Sequence, residues 1–461
     1  MNQLVRAWRH GPTHARVWAL AVPMILSNLT VPLVALVDSA VVGHLPHPHQ
    51  LGAVAVGASF YSVLAALAMF LRMGTTGFAA QSAGQRNYSA MRRILFQSLT
   101  LAWLIAILFA AAALPLSSLA FDFMRPSPEL HELAQRFFSI RLLGLPAILM
   151  QYALVGWLLG LQNARGPLAM MLVTSFTNIV LVVTFVLGLE WGVQGAAIAS
   201  VCAEWTGVAW GLWLAARRLR RIPARIDWPA MRRWASWKPL VQTNSDIFIR
   251  SLALQAVFLS ITIRGAYLGD ETVAANALLL NGLMVCSYAL DGLSHAIEAL
   301  CGHAIGARRP VALQRALVVS SGWAGLISLV FAAGFLLFGD RFIAMQTDMP
   351  AVRETAGLYL PYLAALPVIA VWSYILDGLF TGATKTREMR NAMVLSVALS
   401  LPVALALLKY GNHGLWIALL TFMTLRALTM AIAARKLTRE NRWMPPLANQ
   451  DQDDTWRTAN P

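Results

Sequence analysis

TVPLVALVDSAVVGHL (residues 30–45) is an apolar run with one acid, Asp38, at its middle. A carboxylate near the centre of a bilayer costs roughly 2.5–3.5 kcal/mol on insertion scales, and such residues face a cavity or a partner. Pro32 lies six residues earlier. Without an N–H it cannot donate to the carbonyl of Asn28, so a helix here can bend just below the acid. An acid that gains or loses a proton beside a helix that can bend is a candidate proton-driven switch.

The surrounding chain fixes the setting. It is 58% hydrophobic and 12% charged, where a soluble protein is about a quarter charged. The apolar residues come in long runs rather than at amphipathic spacing, which reads as a polytopic helical membrane protein. A β-barrel would need short alternating segments. The net charge of +15 comes from 36 Lys+Arg against 21 Asp+Glu. These basic residues cluster in short loops between apolar runs, so topology explains them better than nucleic-acid binding. Cys202, Cys286 and Cys301 sit in apolar segments without metal-ligand spacing. Arg6, Arg9 and Arg16 before an apolar run mimic a signal peptide, but the run is long and carries Asp38, so it reads as a retained first helix.

Twelve spans are expected, at 17–43, 51–80, 94–119, 135–160, 168–189, 192–215, 240–267, 273–304, 316–338, 357–381, 391–410 and 414–434. Every second loop is basic, which places both termini and the linker in the cytoplasm of an inner-membrane protein. Segments also recur at one constant offset, the step from Gly43 to Gly265. At that same offset AGQR at 83–86 matches IGAR at 305–308, and Gly156, Gly160 and Arg165 match Gly378, Gly382 and Arg387. The fold expected is therefore all-α, with a six-helix lobe at 17–215, a basic linker at 216–239, a second six-helix lobe at 240–434 and a cytoplasmic tail at 435–461. An even number of spans per lobe makes the repeats parallel, with their axis along the membrane normal. The linker is expected on the inner membrane surface or solvated beside it.

The repeat serves as an internal control. Asp38 corresponds to Ser260, Asp291 to Met69, Glu298 to Thr76 and Asp377 to Val155. No buried acid has an acidic mate, so the fold itself does not require one at these places. In the first lobe the polar set is Asn28, Asp38, Asn178, Ser200 and Glu204. Asn178 can hold the Asp38 carboxyl in one protonation state better than the other, and Glu204 is expected to pair with a buried arginine. In the second lobe Tyr288, Asp291, His295 and Glu298 share one helix face, as do Tyr374, Asp377 and Thr381. Asp246 and Arg250 are spaced as an i,i+4 pair, and Arg426 lies within the last span. This set reads either as a cation or proton site, or as a polar core whose acids Arg250 and Arg426 neutralise. His44, His47 and His49 read as a solvated loop. No metal site, nucleotide site or nucleophile triad is present in the sequence, so an ion gradient must supply the energy.

ALAVPMILSNLTVPLVALVDSAVVGHL (19–45), FLRMGTTGFAAQSAGQRN (70–87), WLLGLQNARGP (157–167), NSDIFIRSLALQ (244–255), YALDGLSHAIEALCGHAIGAR (288–308) and YILDGLFTGATKTREMRN (374–391) resemble the multidrug and toxic compound extrusion family. The likeness is strongest to its DNA-damage-inducible branch and covers nearly the whole chain. It implies two pseudo-twofold-related lobes around a V-shaped central cleft, and antiport of cationic or amphipathic drugs against H+ or Na+. It also implies Asp38 as the coupling acid, with Asn178 beside it and Ser200 in place of a hydroxyl residue of span six. Relatives often carry a second acid four residues after that Asn, where Val182 stands here. Sodium-coupled relatives use acids of spans seven, eight and ten. Asp291, Glu298 and Asp377 could match them, but Arg250 argues against a bare Na+ site, so protons are favoured. No cofactor, enzyme activity or nucleic-acid partner is expected, and the protein is expected to be a monomer in the bilayer. Two other readings remain open. One is a flippase of lipid-linked precursors using Arg250, Arg264 and Arg426. The other is a membrane hydrolase or metal enzyme using Asp291, His295 and Glu298.

Overall fold

The computed structural model describes residues 2–45, 47–124, 127–224 and 227–444. Most of the expected tail, from 445 onward, and Arg225 of the linker lie outside these residues. Among the described residues there are only helices and their turns. Ten helical stretches are long and apolar enough to cross a membrane, or eleven when Pro128–Leu142 and Leu145–Gly160, bent by 43°, count as one. One of the ten, Thr386–Arg439, is 54 residues long. Straight, it would extend about 80 Å, far beyond a hydrocarbon core of about 30 Å. It folds back at a 3₁₀ turn, Leu408–Tyr410, and the left-handed Gly411. The Ser396 and Thr429 hydroxyls, 33 residues apart, then sit at 2.8 Å. That makes twelve crossings among the described residues.

The first six spans are Gly11–Gly43, Pro48–Gly84 with a break at Ala68–Met69, Tyr88–Met124, Pro128–Gly160 with a break at Leu143–Gly144, Arg165–Gly188 ending in a π-turn, and Gly192–Leu219. The second six are Trp234–Ala266, Asp270–Gly306, Pro310–Ala344, Pro350–Gly382, Thr386–Leu407 and Gly411–Arg439. Helices six and seven run further than the apolar pattern indicates, so the linker shortens to 220–233. A short helix, Trp228–Arg232, lies within it. Arg92 of span three fastens the linker's start by donating to the carbonyls of Leu219 and Ile222.

Glycine positions show how the repeat is built. Gly156 and Gly160 of span four press on the span-two backbone at Arg72 and Thr76. Gly378 and Gly382 of span ten press on the span-eight backbone at Ser294 and Glu298. Each contact of the first half thus reappears in the second at the repeat offset. Across the two halves, Gly84 meets the His303 backbone and Gly306 meets the Gln81 backbone. These two contacts exchange under the same offset, as a twofold relation requires. A methyl group at any of these sites would meet backbone, which cannot move aside cheaply. The turns repeat too, with Arg86 and Arg308, and then Gln162 and Thr384, in the left-handed region. The tenth span is deeply enclosed, with 67% of its apolar window buried against 17% for the third and seventh. The latter two present their apolar faces outward, as lipid contact requires.

Candidate functional site

Spans one, five and six meet around Val41, Val42, Val182, Val186, Val193 and Ala196. Asp38 lies one helical turn before Val42, and Asn178 one turn before Val182. The first and fifth spans run in the same direction, so the two polar groups stand at one level beneath this apolar plug. Asn178 is buried and donates to Ser200 Oγ at 3.2 Å. Its own Oδ1, and Oδ1 of Asp38, are buried without a hydrogen-bond partner. Each is an acceptor that lacks a donor. The first span is an unbroken helix through Pro23 and Pro32. Thr30 Oγ1 donates to the Ser27 carbonyl, and Asn28 Nδ2 reaches the Tyr288 carbonyl at 3.1 Å.

Below this level lies a cluster that the sequence reading captures only from one side. Glu204 does pair with a buried arginine, Arg141, at 2.8 Å. Tyr61 donates to the same carboxylate at 3.0 and 3.1 Å, and the Arg141 guanidinium lies 3.8 Å from the centre of the Tyr61 ring. Gly144, at the break of span four, leaves the space that the Glu204 carboxylate fills. Arg141 is also the charge that acts on Asp38. An arginine inside an apolar span is a signal in itself. FSIRLLG carries it, yet attention to the acids passes over Arg141.

In the second half, Arg250 and Arg426 both donate to Oδ2 of Asp377. Both guanidinium groups are thus spent on one carboxylate oxygen. The i,i+4 spacing of Asp246 and Arg250 does not produce a pair. Arg250 turns to span ten, while Asp246 takes Arg390 at 2.5 Å and Thr386 Oγ1 at 3.1 Å. The reason is that a second arginine, from the start of span eleven, reaches Asp246 from the basic-loop end. Tyr374 OH shares a hydrogen bond with Ser287 Oγ at 2.6 Å, and the Tyr374 carbonyl accepts from Ser294. Asp291 is half-buried and makes no hydrogen bond or ion pair among the described residues. Arg72, Arg250 and Arg426 act on it from a distance. His295 Nδ1 is buried and unpartnered.

The two halves touch on one side only. Their polar contacts run from Asn28–Tyr288 toward the basic loops. Arg72 Nη1 meets Glu298 Oε2 at 3.1 Å. Gln81 Nε2 meets the Gly382 carbonyl at 2.9 Å and Thr384 Oγ1 at 3.2 Å. Trp323 meets His14, and Gln97 meets Ser236. No hydrogen bond or ion pair among the described residues joins the halves beyond Asn28, at the level of Asp38. Arg72 is the second charge that sequence reading passes over, although FLRMG places it inside an apolar run.

The MatE family profile matches residues 23–184 and again residues 247–406. DNA damage-inducible protein F of Escherichia coli is 43% identical over 428 residues, covering 92% of this chain and 93% of that protein. Multidrug resistance protein PmpM of Pseudomonas aeruginosa is 26% identical over 444 residues, covering 92% of each. A crystal structure of MATE in the bent conformation superposes with a TM-score of 0.83 at 21% identity, over 96% of this chain and 99% of that one. The two profile matches fall one per half, in keeping with the repeat.

Proposed function

The chain belongs to the MatE family, and we propose that it is a secondary active multidrug exporter of the inner membrane, driven by proton entry. The observation that carries this reading is the state of Asp38. Six acids lie in the apolar middles of the spans, Asp38, Glu204, Asp246, Asp291, Glu298 and Asp377, and of these Glu204, Asp246, Glu298 and Asp377 each hold an arginine. Asp38 holds none among the described residues, and by helix register it lies at the level of Asn178, in the half whose one nearby arginine is committed to Glu204. The lobes, 17–215 and 240–434, would rock about the seam they share, opening the cleft to one face at a time. The basic loops and both termini would lie in the cytoplasm, and the form described here would then be open to the outside. Protonation of Asp38 would give it a donor for Asn178 Oδ1. Span one would then bend at Pro32, where the Asn28 carbonyl has no helical donor, and the first-lobe cavity would shrink and release its cargo. The cargo would be cationic or amphipathic compounds, as the name of the PmpM relative suggests. Apolar and aromatic walls hold such flat cations loosely.

Asp291 supports a second reading, sodium coupling, because it too lacks a partner. Three arginines act on it, which disfavours a bare Na+. Flipping of pyrophosphate-linked lipids needs free cations, but Arg250 and Arg426 are both committed to Asp377. The test is efflux of a fluorescent cationic dye from vesicles holding the pure protein. A pH gradient alone should drive it, and a Na+ gradient alone should not. The reverse result would overturn proton coupling, and movement of a lipid headgroup without dye would overturn export.

A further inference from the structure

We propose that the Arg72–Glu298 ion pair is the positioning contact that holds the basic-loop side of the two halves together, and that the cycle must break it to open that side. Among the described residues it is the one ion pair between the first six spans and the last six. Both side chains are buried, at 9% and 2% exposure.

The repeat shows that the fold does not need these charges. At the repeat offset Arg72 corresponds to Ser294 and Glu298 to Thr76. The twofold mate of the pair is therefore a neutral Ser–Thr couple in the same seam. Around it the seam is built for close, reversible packing: Gly302 against Ala80, Gly306 against Gln81, Gly84 against His303, and Gly77 against the Thr381 carbonyl. Small flat surfaces of this kind fit without interlocking. They make contact but set little preference between closed and parted states. A buried ion pair does the opposite. It adds little to net stability, because both charges lose water, but parting it inside a low-dielectric seam is costly unless water or a proton reaches the acid. Glu298 Oε1 has no partner, so the carboxylate depends on Arg72 for its compensation. The other titratable groups facing the pair are Asp291 and His295 from span eight and Asp377 from span ten, the last already held by Arg250 and Arg426. Arg72 also faces Tyr152 of span four. The second lobe thus contributes to coupling through an arginine of the first.

The inference rests on the exporter reading, yet its test needs no transport. Spin labels at Tyr88→Cys and Val311→Cys, both exposed at the basic-loop ends of spans three and nine, report the width of the seam. The three native cysteines are replaced by serine, and the full chain is kept in lipid nanodiscs without gradient or drug. The unaltered pair should give one short distance. Arg72→Met with Glu298→Met removes both charges and leaves no charge buried alone. It should fold, melt no lower than the native chain, and shift the closed-to-open ratio by about tenfold or more toward a longer distance. Exchanging the two, Arg72→Glu with Glu298→Arg, should restore the short distance. If the double-methionine protein keeps the native distance, the pair does not hold the seam and the inference fails. It fails also if the exchanged pair stays open. Neither outcome touches the role of Asp38, which dye efflux tests separately.

Discussion

Glu204 and Arg426 occupy matching places in the two halves, one repeat apart on spans six and twelve. Each is buried, and each holds one opposite charge from the neighbouring span, Arg141 on span four and Asp377 on span ten. Spans four and ten are themselves mates. One helical design is thus wired with opposite signs. Around Arg141 there are two acids, Glu204 bonded to it and Asp38 acting through space. Around Asp377 there are two arginines on a single oxygen. The first half has Asp38 left outside its pair, and the second has Asp377 compensated twice with Asp291 left without a partner among the described residues. The difference teaches that a duplicated fold can keep its helices and their packing while the charges at matching places change sign. On the reading proposed above, Asp38 carries the proton and the Asp377 cluster serves as a brace.

The sharpest way to break that contrast is to strip the brace. Arg250→Met with Arg426→Met leaves Asp377 buried and unpaired, which should cost about 3–5 kcal/mol. Size-exclusion and thermal unfolding in detergent should show an aggregating or strongly destabilised protein. Adding Asp377→Leu should recover most of the loss. If the double variant is as stable as the native chain, the second-half cluster is not structural.

The first half should respond in function rather than in fold. Glu204→Gln frees Arg141 from its bonded counter-charge, so the guanidinium acts on Asp38 alone and favours its charged form. The pH profile of dye efflux should move toward acid, by about one unit. A rate loss with an unmoved profile would make Glu204 a packing residue only. A smaller effect follows from the break in span four. Gly144→Ala puts a methyl where the Glu204 carboxylate sits and should cost about 1–3 kcal/mol in thermal stability, with the pH profile shifted in the same direction. The smallest concerns charge outside either cluster. Arg136 and Glu132 form an exposed i,i+4 pair at 2.5 Å, and Glu132→Gln should change stability by less than about 1 kcal/mol and leave transport unaltered.

Much of this is legible in the sequence, for physical reasons. Hydrocarbon enforces long apolar helices, so the spans and their repeat can be read directly, and Asp38 stands out because a lone acid there needs a purpose. Helix ends are less legible. Once an apolar core is helical, amphipathic flanks such as Trp234–Pro239 continue it, and the linker shortens. Pairing is least legible. Periodicity puts Asp246 and Arg250 on one face, but it cannot show that Arg390 and Asp377 arrive from other spans as better partners. The glycines at 84 and 306 can be read as repeats, while their meeting across the seam is a property of the three-dimensional packing. Arg72 and Arg141 are visible in the sequence as charges inside apolar runs. They gain meaning only when their acids on distant spans are in place.

The central claim is that Asp38 carries the proton that drives export. Asp38→Asn keeps the size and hydrogen-bonding capacity of the side chain but cannot titrate, and its purified protein should melt within a degree or two of the native chain. In vesicles with an imposed pH gradient, its dye efflux should fall to the protein-free background. Efflux at the native rate by this variant would contradict the account.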